Sequence, residues 1–316
     1  MLLTTARPTI RSLQIPAGDE IGVKMFAVTG ITGQVGSSVA RNLLGGGESV
    51  RAVVRNTAKA VAWAQQGCDV FRADMNDVDA LSQSFFGVEG VFVLLPPNFD
   101  PSPGFLESRQ IIAAVRRALD AARPSRVVCL STIGAQATQP NLLTQLQIME
   151  SELGTLSMPI TFLRAAWFME NSSWDVAPAR NTGIVPSFLQ PLDKRFPMVA
   201  TEDVGRTAAE LLLHIWNGQR LVELEGPKRI TPDEIAAAFA RLLGRDVRMR
   251  AVPRDTWESV FRSQGMKNPM PRVQMLDGFN QGWIEFEAGE TQSRKGSVTL
   301  DTVLRSLVER DAPQDT

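Results

Sequence analysis

The chain reads Phe26-Ala27-Val28-Thr29-Gly30-Ile31-Thr32-Gly33-Gln34-Val35-Gly36 near its start, and this stretch determines its architecture. An apolar run stops at a glycine and an amphipathic segment follows, which predicts a strand, a tight turn and a helix. Gly30 permits the chain reversal, Gly33 lets the backbone approach a diphosphate, and Gly36 lets the helix pack on the strand. The amides at the helix N-terminus then face the anion. The stretch therefore predicts a dinucleotide-binding turn.

The residue after the second predicted strand bears on which dinucleotide is bound. That strand runs over Ser49–Val54 and is followed by Arg55, where an acidic residue would indicate NAD. A guanidinium suits the 2′-phosphate of NADP because it can donate two parallel hydrogen bonds. Lys59 adds positive charge. The alternative is that both are solvated loop cations, but the preceding glycine turn favours NADP(H) over NAD(H).

Alternating strands and helices continue along the first half, which predicts an α/β fold, a Rossmann-type doubly wound parallel sheet. Further strands are predicted at residues 68–72, 90–95, 126–130 and 160–163. Ligands of such sheets lie over the carboxyl ends of the strands. One crevice should therefore be surrounded by the residues at these ends, namely Gly30, Arg55, Asp74, Leu95, Ser131 and Arg164. Asp74 fits an acceptor for the adenine amino group, although an aspartate after a strand is also an ordinary turn cap.

Composition excludes several classes of function. The net charge is −1 and no basic stripe is present, which argues against direct binding of nucleic acid. The two cysteines form no disulfide or metal-ligand pattern, and Cys129 is predicted to be core, which fits a reducing cytoplasm. No apolar run approaches the roughly 20 residues that span a bilayer. The sequence predicts a cytoplasmic protein that binds no metal.

The patterns predict three segments. These are an N-terminal extension over residues 1–22, expected to be disordered and without an apolar signal-peptide core; an NAD(P)-binding Rossmann domain over residues 23–180; and a smaller α/β substrate and lid part over residues 181–316. In the last part, loops at 181–183 and 186–197 should cover the crevice, and the chain should return to the sheet for a strand at 222–224.

Helix signals in this last part are clear. A helix is predicted from Thr201 to Trp216, and Thr231 with Glu234 forms a capping box that starts a helix ending at Gly244. A tail helix is predicted at 300–308.

The sequence lacks the usual acid of short-chain dehydrogenases, a tyrosine activated by a lysine four residues later. The chain contains no tyrosine, and the predicted helix at 141–156 contains no lysine. The single histidine, His214, follows a leucine run and is predicted to be a core or boundary residue. No nucleophile elbow is present for serine chemistry. The sequence thus predicts an NADP site without an obvious proton donor.

Several motifs together carry a resemblance to a known family. They are the glycine turn, Val53-Val54-Arg55-Asn56, Ala73-Asp74, Leu163-Arg164 and Phe168-Met169-Glu170-Asn171. Over about residues 24–307 the chain resembles the NmrA-like branch of atypical short-chain dehydrogenases. That branch includes NADPH:quinone oxidoreductases, azo-dye reductases and redox-sensing regulators that bind NADP without turnover. Its members commonly lack the Tyr–Lys pair.

The resemblance implies specific site residues. Those lining the dinucleotide would be Gly30, Thr32, Gly33, Gln34, Val35, Gly36, Arg55, Asp74, Met75, Leu94, Leu95, Pro96, Ser131 and Thr132, with Arg164 to Phe168 backing the nicotinamide. The quinone reductases often carry a Glu-Lys pair with an upstream histidine on the preceding helix. Here the corresponding stretch reads Leu146-Gln147-Ile148-Met149-Glu150-Ser151, in which Glu150 remains but the lysine and the histidine do not.

The leading hypothesis is an NADPH-dependent reductase that transfers a hydride to a quinone-like or other small aromatic acceptor. Such an acceptor needs no strong acid, because delocalisation stabilises its product anion. Trp167, Phe168, Trp174 and Phe188 could form a flat surface for the acceptor, or could simply be core. Ser131, Gln145 and Asn171 are candidates for a hydrogen-bond donor to the acceptor oxygen.

Two alternatives remain. One is a non-catalytic redox sensor that binds NADP(H) and acts through a protein partner. The aromatic segment at 268–286, with Phe279, Trp283 and Phe286, would then be a partner or homodimer surface, but it could equally be a lid over the crevice. The other alternative is isomerase or epimerase chemistry on an NADP-linked carbohydrate, which the absent tyrosine and lysine disfavour.

Overall fold

The strands form two kinds of sheet within residues 24–311, the part that the computed structural model describes. In chain order they are β1 (Met25–Thr29), β2 (Ser49–Val54), β3 (Asp69–Arg72), β4 (Gly90–Val93), β5 (Arg126–Thr132), β6 (Ile160–Ala165), β7 (Trp167–Phe168), β8 (Ile184–Ser187), β9 (Met198–Val199), β10 (Gln219–Glu225), β11 (Arg248–Ala251) and β12 (Arg294–Lys295). The main sheet has the order β12-β10-β6-β5-β4-β1-β2-β3, and two-stranded sheets pair β11 with β8 and β7 with β9.

Helices cover both faces of the main sheet. They are α1 (Gln34–Gly45), α2 (Val61–Gln65), α3 (Val78–Phe85), α4 (Leu106–Ala122), α5 (Thr144–Leu153), α6 (Val176–Asn181), α7 (Thr201–Leu213), α8 (Pro232–Leu243), α9 (Trp257–Ser263), α10 (Met270–Gln281) and α11 (Leu300–Arg310). Every strand pair of the main sheet is parallel. The α/β fold with a doubly wound Rossmann-type sheet is therefore confirmed.

The core explains why the strands read as continuous apolar runs. All four residues of β4 are buried, because helices lie on both sides of it. One face carries α1 and α7, which approach so closely that a Cβ on Gly205 would lie 2.3 Å from Ser38 Cβ. On the other face Phe85 and Leu119 pack with residues of α5. Burying each such side chain contributes about 2 kcal/mol.

Most predicted boundaries hold to within a few residues. Cys68 precedes β3 because its N–H closes the turn after α2 on Trp63 O. The fourth strand ends at Val93, because the N–H of Leu94 donates to the side chain of Thr29 in β1 rather than to a backbone carbonyl of a neighbouring strand. The sixth strand extends through Ala165, so Arg164 lies inside it rather than at its end.

The second half departs further from expectation. The predicted loop at 186–197 is wrong at its start, because Pro186 lies in β8. Proline is tolerated there because a two-stranded sheet has only edge strands. The predicted return to the sheet is confirmed as β10, and the capping box of Thr231 and Glu234 is present with α8 ending at Gly244.

The prediction that His214 is a core or boundary residue is wrong. Helix α7 ends at Leu213, and His214 follows it as an exposed residue whose Nδ1 contacts Glu210 O. The leucine run misled the prediction because only Leu211 and Leu212 turn inward. Cys129, in contrast, is fully buried as predicted.

The extension predicted at 1–22 lies outside the described residues, and the division into domains stays a prediction. No helix within residues 24–311 is long and apolar enough to cross a membrane.

Candidate functional site

The glycine turn between β1 and α1 has two glycines that the protein itself requires. Gly30 has a φ of +67°, a conformation that favours glycine. A Cβ on Gly36 would lie 2.2 Å from Gly30 O, so the first turn of α1 packs directly on the turn backbone. Gly33 N–H donates to Gly30 O at 2.9 Å and closes the reversal. Thus the predicted turn geometry is present.

Gly33 differs from Gly30 and Gly36 because neither its backbone conformation nor its packing requires a glycine. Its φ of −95° and ψ of 175° suit any residue. A Cβ there would meet only Gly30 O, at 3.4 Å. No side chain among residues 24–311 caps α1 at this position, so the first amides of the helix lack the usual acceptor. Gly33 therefore leaves an open approach to a helix N-terminus, as an anionic ligand needs.

The turn lies where the strand order of the sheet reverses. Strands β1 and β4 are neighbours there, and ligands of open α/β sheets bind in the crevice outside such a switch point. Thr29 Oγ1 accepts from Leu94 N at 2.8 Å and donates to Phe92 O at 3.1 Å, which joins the two strand ends. Leu94 and Leu95 are half-buried and Pro96 is exposed beyond them.

Arg55 and Asp74 follow the ends of β2 and β3 along the same edge. Arg55 and Lys59 are exposed, and within residues 24–311 the Arg55 guanidinium makes no ion pair. Asp74 is half-buried, and its Oδ1 accepts from Asn76 N at 3.0 Å. One carboxylate oxygen of Asp74 therefore caps its own turn, and the other accepts no hydrogen bond from residues 24–311. Met75 beside it is half-buried.

Ser131 lies at the end of β5 and faces α5. Its Oγ donates to Glu150 Oε1 at 2.5 Å. Glu150 is held in turn by Arg164, whose Nε and Nη2 donate to the two carboxylate oxygens at 2.9 and 2.6 Å. The Ser131 hydroxyl hydrogen is thus engaged inside the protein, whereas the half-buried Thr132 adjoins it at the strand end.

Arg164 is enclosed by carboxylates rather than placed at the strand end. Its Nη1 also donates to Glu287 Oε2 at 2.8 Å and lies 3.7 Å from Glu223. Only 5% of its side chain is exposed. Burial alone would lower the pKa of Arg164, but the hydrogen bonds and charges of Glu150 and Glu287 raise it above its ordinary value. Arg164 therefore joins β6 to α5 and to the segment after α10.

The remaining polar candidates lie in different settings. Gln145 is buried, and its amide donates to Asn98 O and Leu142 O while accepting from Ser108 Oγ at 2.8 Å. It has no donor left for an acceptor molecule, so the interpretation of Gln145 as a donor in the crevice is wrong. Asn171 is exposed in the 3₁₀ turn that follows Phe168.

The aromatic candidates also separate. Trp167 is half-buried and packs edge-on against Phe279, with ring centroids 5.2 Å apart. Phe168 is likewise half-buried and pairs with β9. Phe188 instead packs against Trp257 and Phe261 within the core of the second half, and Trp174 is 84% exposed. We conclude that Trp167 and Phe168 alone of these four stand next to the strand ends.

The segment at 268–286 packs on the protein instead of forming a free surface. Leu142 N donates to Pro271 O at 2.8 Å, which ties the start of α10 to the loop after β5. Phe279 and Phe286 are each 4% exposed. Of the two interpretations that the sequence left open, these contacts favour the lid.

One connection near the glycine turn escaped sequence reasoning. Glu170 accepts from Thr201 N at 2.9 Å and Thr201 Oγ1 at 2.7 Å, which caps α7. Thr201 Oγ1 lies 3.3 Å from Gln34 Oε1. Burial raises the pKa of Glu170 although the Thr201 hydrogen bonds lower it. The Met169-Glu170-Asn171 motif contained the signal, but its partner is 31 residues away.

Comparisons with known proteins show the family and the fold of this chain. The profile of the NmrA-like family matches residues 23–281. An NAD(P)H azoreductase of Xenophilus azovorans is 27% identical over 249 residues, covering 77% of this chain and 82% of that protein. Quinone oxidoreductase 2 of Escherichia coli is 26% identical over 244 residues with the same coverage of both proteins. A triphenylmethane reductase structure from Citrobacter sp. shares the fold, with a TM-score of 0.76 at 21% identity, over 90% of this chain and 99% of that one.

Proposed function

This chain belongs to the NmrA-like family, and we propose that it is an NAD(P)H-dependent oxidoreductase that passes a hydride to a quinone-like or azo-type aromatic acceptor. Relatives named as an azoreductase and a quinone oxidoreductase support this reaction class. Each aligns over about four fifths of its own length, so the likeness includes the acceptor half as well as the nucleotide half.

The observation that carries the proposal is the position of Gly33. The backbone conformation and the packing there would accept a side chain, so the open space serves something outside the protein. A diphosphate fits because the adjoining helix N-terminus offers amides and a favourable dipole. The residues present therefore suit a pyridine dinucleotide.

We infer that NADP(H) is preferred over NAD(H). Arg55 stands at the end of the second strand, is exposed, and has no carboxylate partner within residues 24–311. A guanidinium in that place can donate two hydrogen bonds to a 2′-phosphate. Asp74, with one oxygen uncommitted, would accept from the adenine amino group.

The chain's contribution to the reaction is positioning. A bound reduced nicotinamide supplies the hydride, and the protein holds an acceptor in line with it and excludes water. Thr132 ends β5 and would line the dinucleotide, and the Trp167–Phe279 pair would provide an aromatic wall for the acceptor. No strong acid is needed, because a reduced quinone spreads its charge over the ring and takes its proton from water.

A redox sensor is the second candidate, and one specific observation favours it. The Ser131 hydrogen is committed to Glu150, and both amide hydrogens of Gln145 are committed to carbonyls. A protein that only binds the nucleotide has no use for a proton donor. In that case, nucleotide bound in the crevice would change the affinity of this protein for a partner protein.

Acceptor-dependent oxidation separates the two candidates. Purified protein is titrated with NADPH and NADH by fluorescence, and NADPH oxidation is followed with menadione, para-benzoquinone and an azo dye. The reductase predicts binding of NADPH together with oxidation that requires an acceptor. Binding without oxidation by any acceptor would replace the reductase with the sensor.

A further inference from the structure

The beginning of α7 packs on the beginning of α1, next to the glycine turn. Ser38 Oγ donates to Glu202 O at 3.1 Å. A Cβ on Gly205 would clash with the side chain of Ser38, so the two helices are in direct contact. This packing places Thr201, the first residue of α7, beside Gln34, the first residue of α1.

The side chain of Thr201 is the part of α7 that reaches the glycine turn. Thr201 is buried, and its Oγ1 lies 3.3 Å from Gln34 Oε1. Gln34 itself is exposed, directly follows Gly33, and makes no other side-chain hydrogen bond within residues 24–311. Because its Oε1 faces Thr201, its Nε2 remains free to donate to a ligand. Thr201 therefore orients a hydrogen-bond donor that adjoins the open approach at Gly33.

Thr201 is in turn held by the carboxylate of Glu170. The N–H of Thr201 donates to the two oxygens of this carboxylate at 2.9 and 3.1 Å, and its Oγ1 donates to Oε1 at 2.7 Å. Glu170 follows two residues after Phe168, which pairs with β9. The chain after β6 thus fixes the Thr201 hydroxyl before any ligand arrives, and a group fixed in this way loses little conformational freedom on binding.

We propose that Thr201 is a positioning residue of the nucleotide site, which holds the side chain of Gln34 beside the diphosphate of a bound dinucleotide. The inference rests on the proposed function, in which the diphosphate occupies the open approach at Gly33. A Gln34 amide that Thr201 already holds donates to a phosphate oxygen with a smaller loss of side-chain entropy. NADPH and NADH share the diphosphate, so the affinities for both depend on Thr201.

The test is nucleotide binding by variants that add or remove the hydroxyl alone. The dissociation constants for NADPH and NADH are measured by fluorescence titration in the wild type, Thr201→Val, Thr201→Ser and Thr207→Val. Thr207 is a second buried threonine of α7, so it controls for loss of a buried hydroxyl from this helix. We expect Thr201→Val to weaken both nucleotides about fivefold, the size of one hydrogen bond, and Thr201→Ser and Thr207→Val to bind like the wild type.

A double variant tests whether Thr201 acts through Gln34. Thr201→Val should cause no further loss of affinity when it is added to Gln34→Ala, because the side chain that it positions is already gone. A second loss of the same size would overturn this route, as would an equal loss in Thr207→Val.

The outcomes separate the inference from the function on which it rests. A wild type that binds neither nucleotide overturns both. A wild type that binds NADPH, with unchanged affinity in Thr201→Val, overturns the role of Thr201 alone. Should thermal unfolding show that Thr201→Val does not fold, Gln34→Ala decides the matter, because Gln34 is exposed and its loss leaves the packing intact. NADPH affinity equal to that of the wild type in Gln34→Ala would then overturn the inference.

Discussion

The hydroxyl of Ser131, near the end of β5, donates to the carboxylate of Glu150 on α5 at 2.5 Å. The carboxylate is held by Arg164 through two hydrogen bonds. The interior of the site is therefore an ion-pair network rather than an acid poised to donate. This arrangement suits an acceptor that is reduced without help from a strong acid.

Glu150 should be more important for stability than for the hydride step. Glu150→Gln removes the main partner of a guanidinium that is 5% exposed. Glu287 and Glu223 remain, but one is 59% exposed and the other lies 3.7 Å away. We expect a loss of about 2 to 4 kcal/mol in the free energy of unfolding, measured with urea. The exposed Glu152→Gln on the same helix is the control and should change little. Equal stability of both variants would refute a structural role for the pair.

Substitution of two glycines of the turn should affect two different properties, nucleotide binding at Gly33 and stability at Gly36. Gly33→Val leaves the fold intact, since its Cβ has room, but fills the approach to the helix N-terminus and should abolish binding of both NADPH and NADH. Gly36→Ala forces a Cβ to within 2.2 Å of Gly30 O and should destabilise the protein itself. Thermal unfolding and nucleotide titration distinguish the two. Unaltered NADPH binding by Gly33→Val would remove the main support for the dinucleotide site.

Arg55→Glu should separate the two nucleotides. If Arg55 binds the 2′-phosphate, the variant binds NADPH less favourably by about 2 kcal/mol, which is a roughly thirtyfold loss of affinity. The reason is that a charge-assisted hydrogen bond to the phosphate is replaced by repulsion between the phosphate and the glutamate. NADH affinity should stay within about twofold, since NADH lacks the phosphate. Arg117→Glu, an exposed arginine of α4, applies the same change of charge far from the strand ends and controls for net charge. Equal losses of affinity for NADPH and NADH would show that Arg55 does not bind the 2′-phosphate.

Local patterns predicted the turns and the helix caps well because they depend on neighbours in sequence. Residues close together in the sequence are enough to predict the glycine turn, the exposed Arg55 and the capping box at Thr231. Arg164 was misplaced because its partners include Glu287, 123 residues away. The contact between Glu170 and Thr201 gave no local signal either, since the two residues are 31 positions apart. Long-range pairs of this kind are set by how the second half packs on the sheet.

Asp175 should make stability depend on pH. Burial raises the pKa of this carboxyl from 3.8 to about 7, against a hydrogen bond with Ser172 that lowers it. Because the folded pKa exceeds the unfolded one, stability is highest below about pH 4 as far as this group is concerned, falls as the pH rises towards 7, and is constant above that. Asp175→Asn removes the cost of ionisation. We expect the variant to be more stable than the wild type by about 1 to 3 kcal/mol at pH 8, with the difference shrinking towards pH 5. Urea unfolding at several pH values measures this, with the exposed Asp120→Asn as the matched control. A difference that does not change with pH would mean that Asp175 titrates normally.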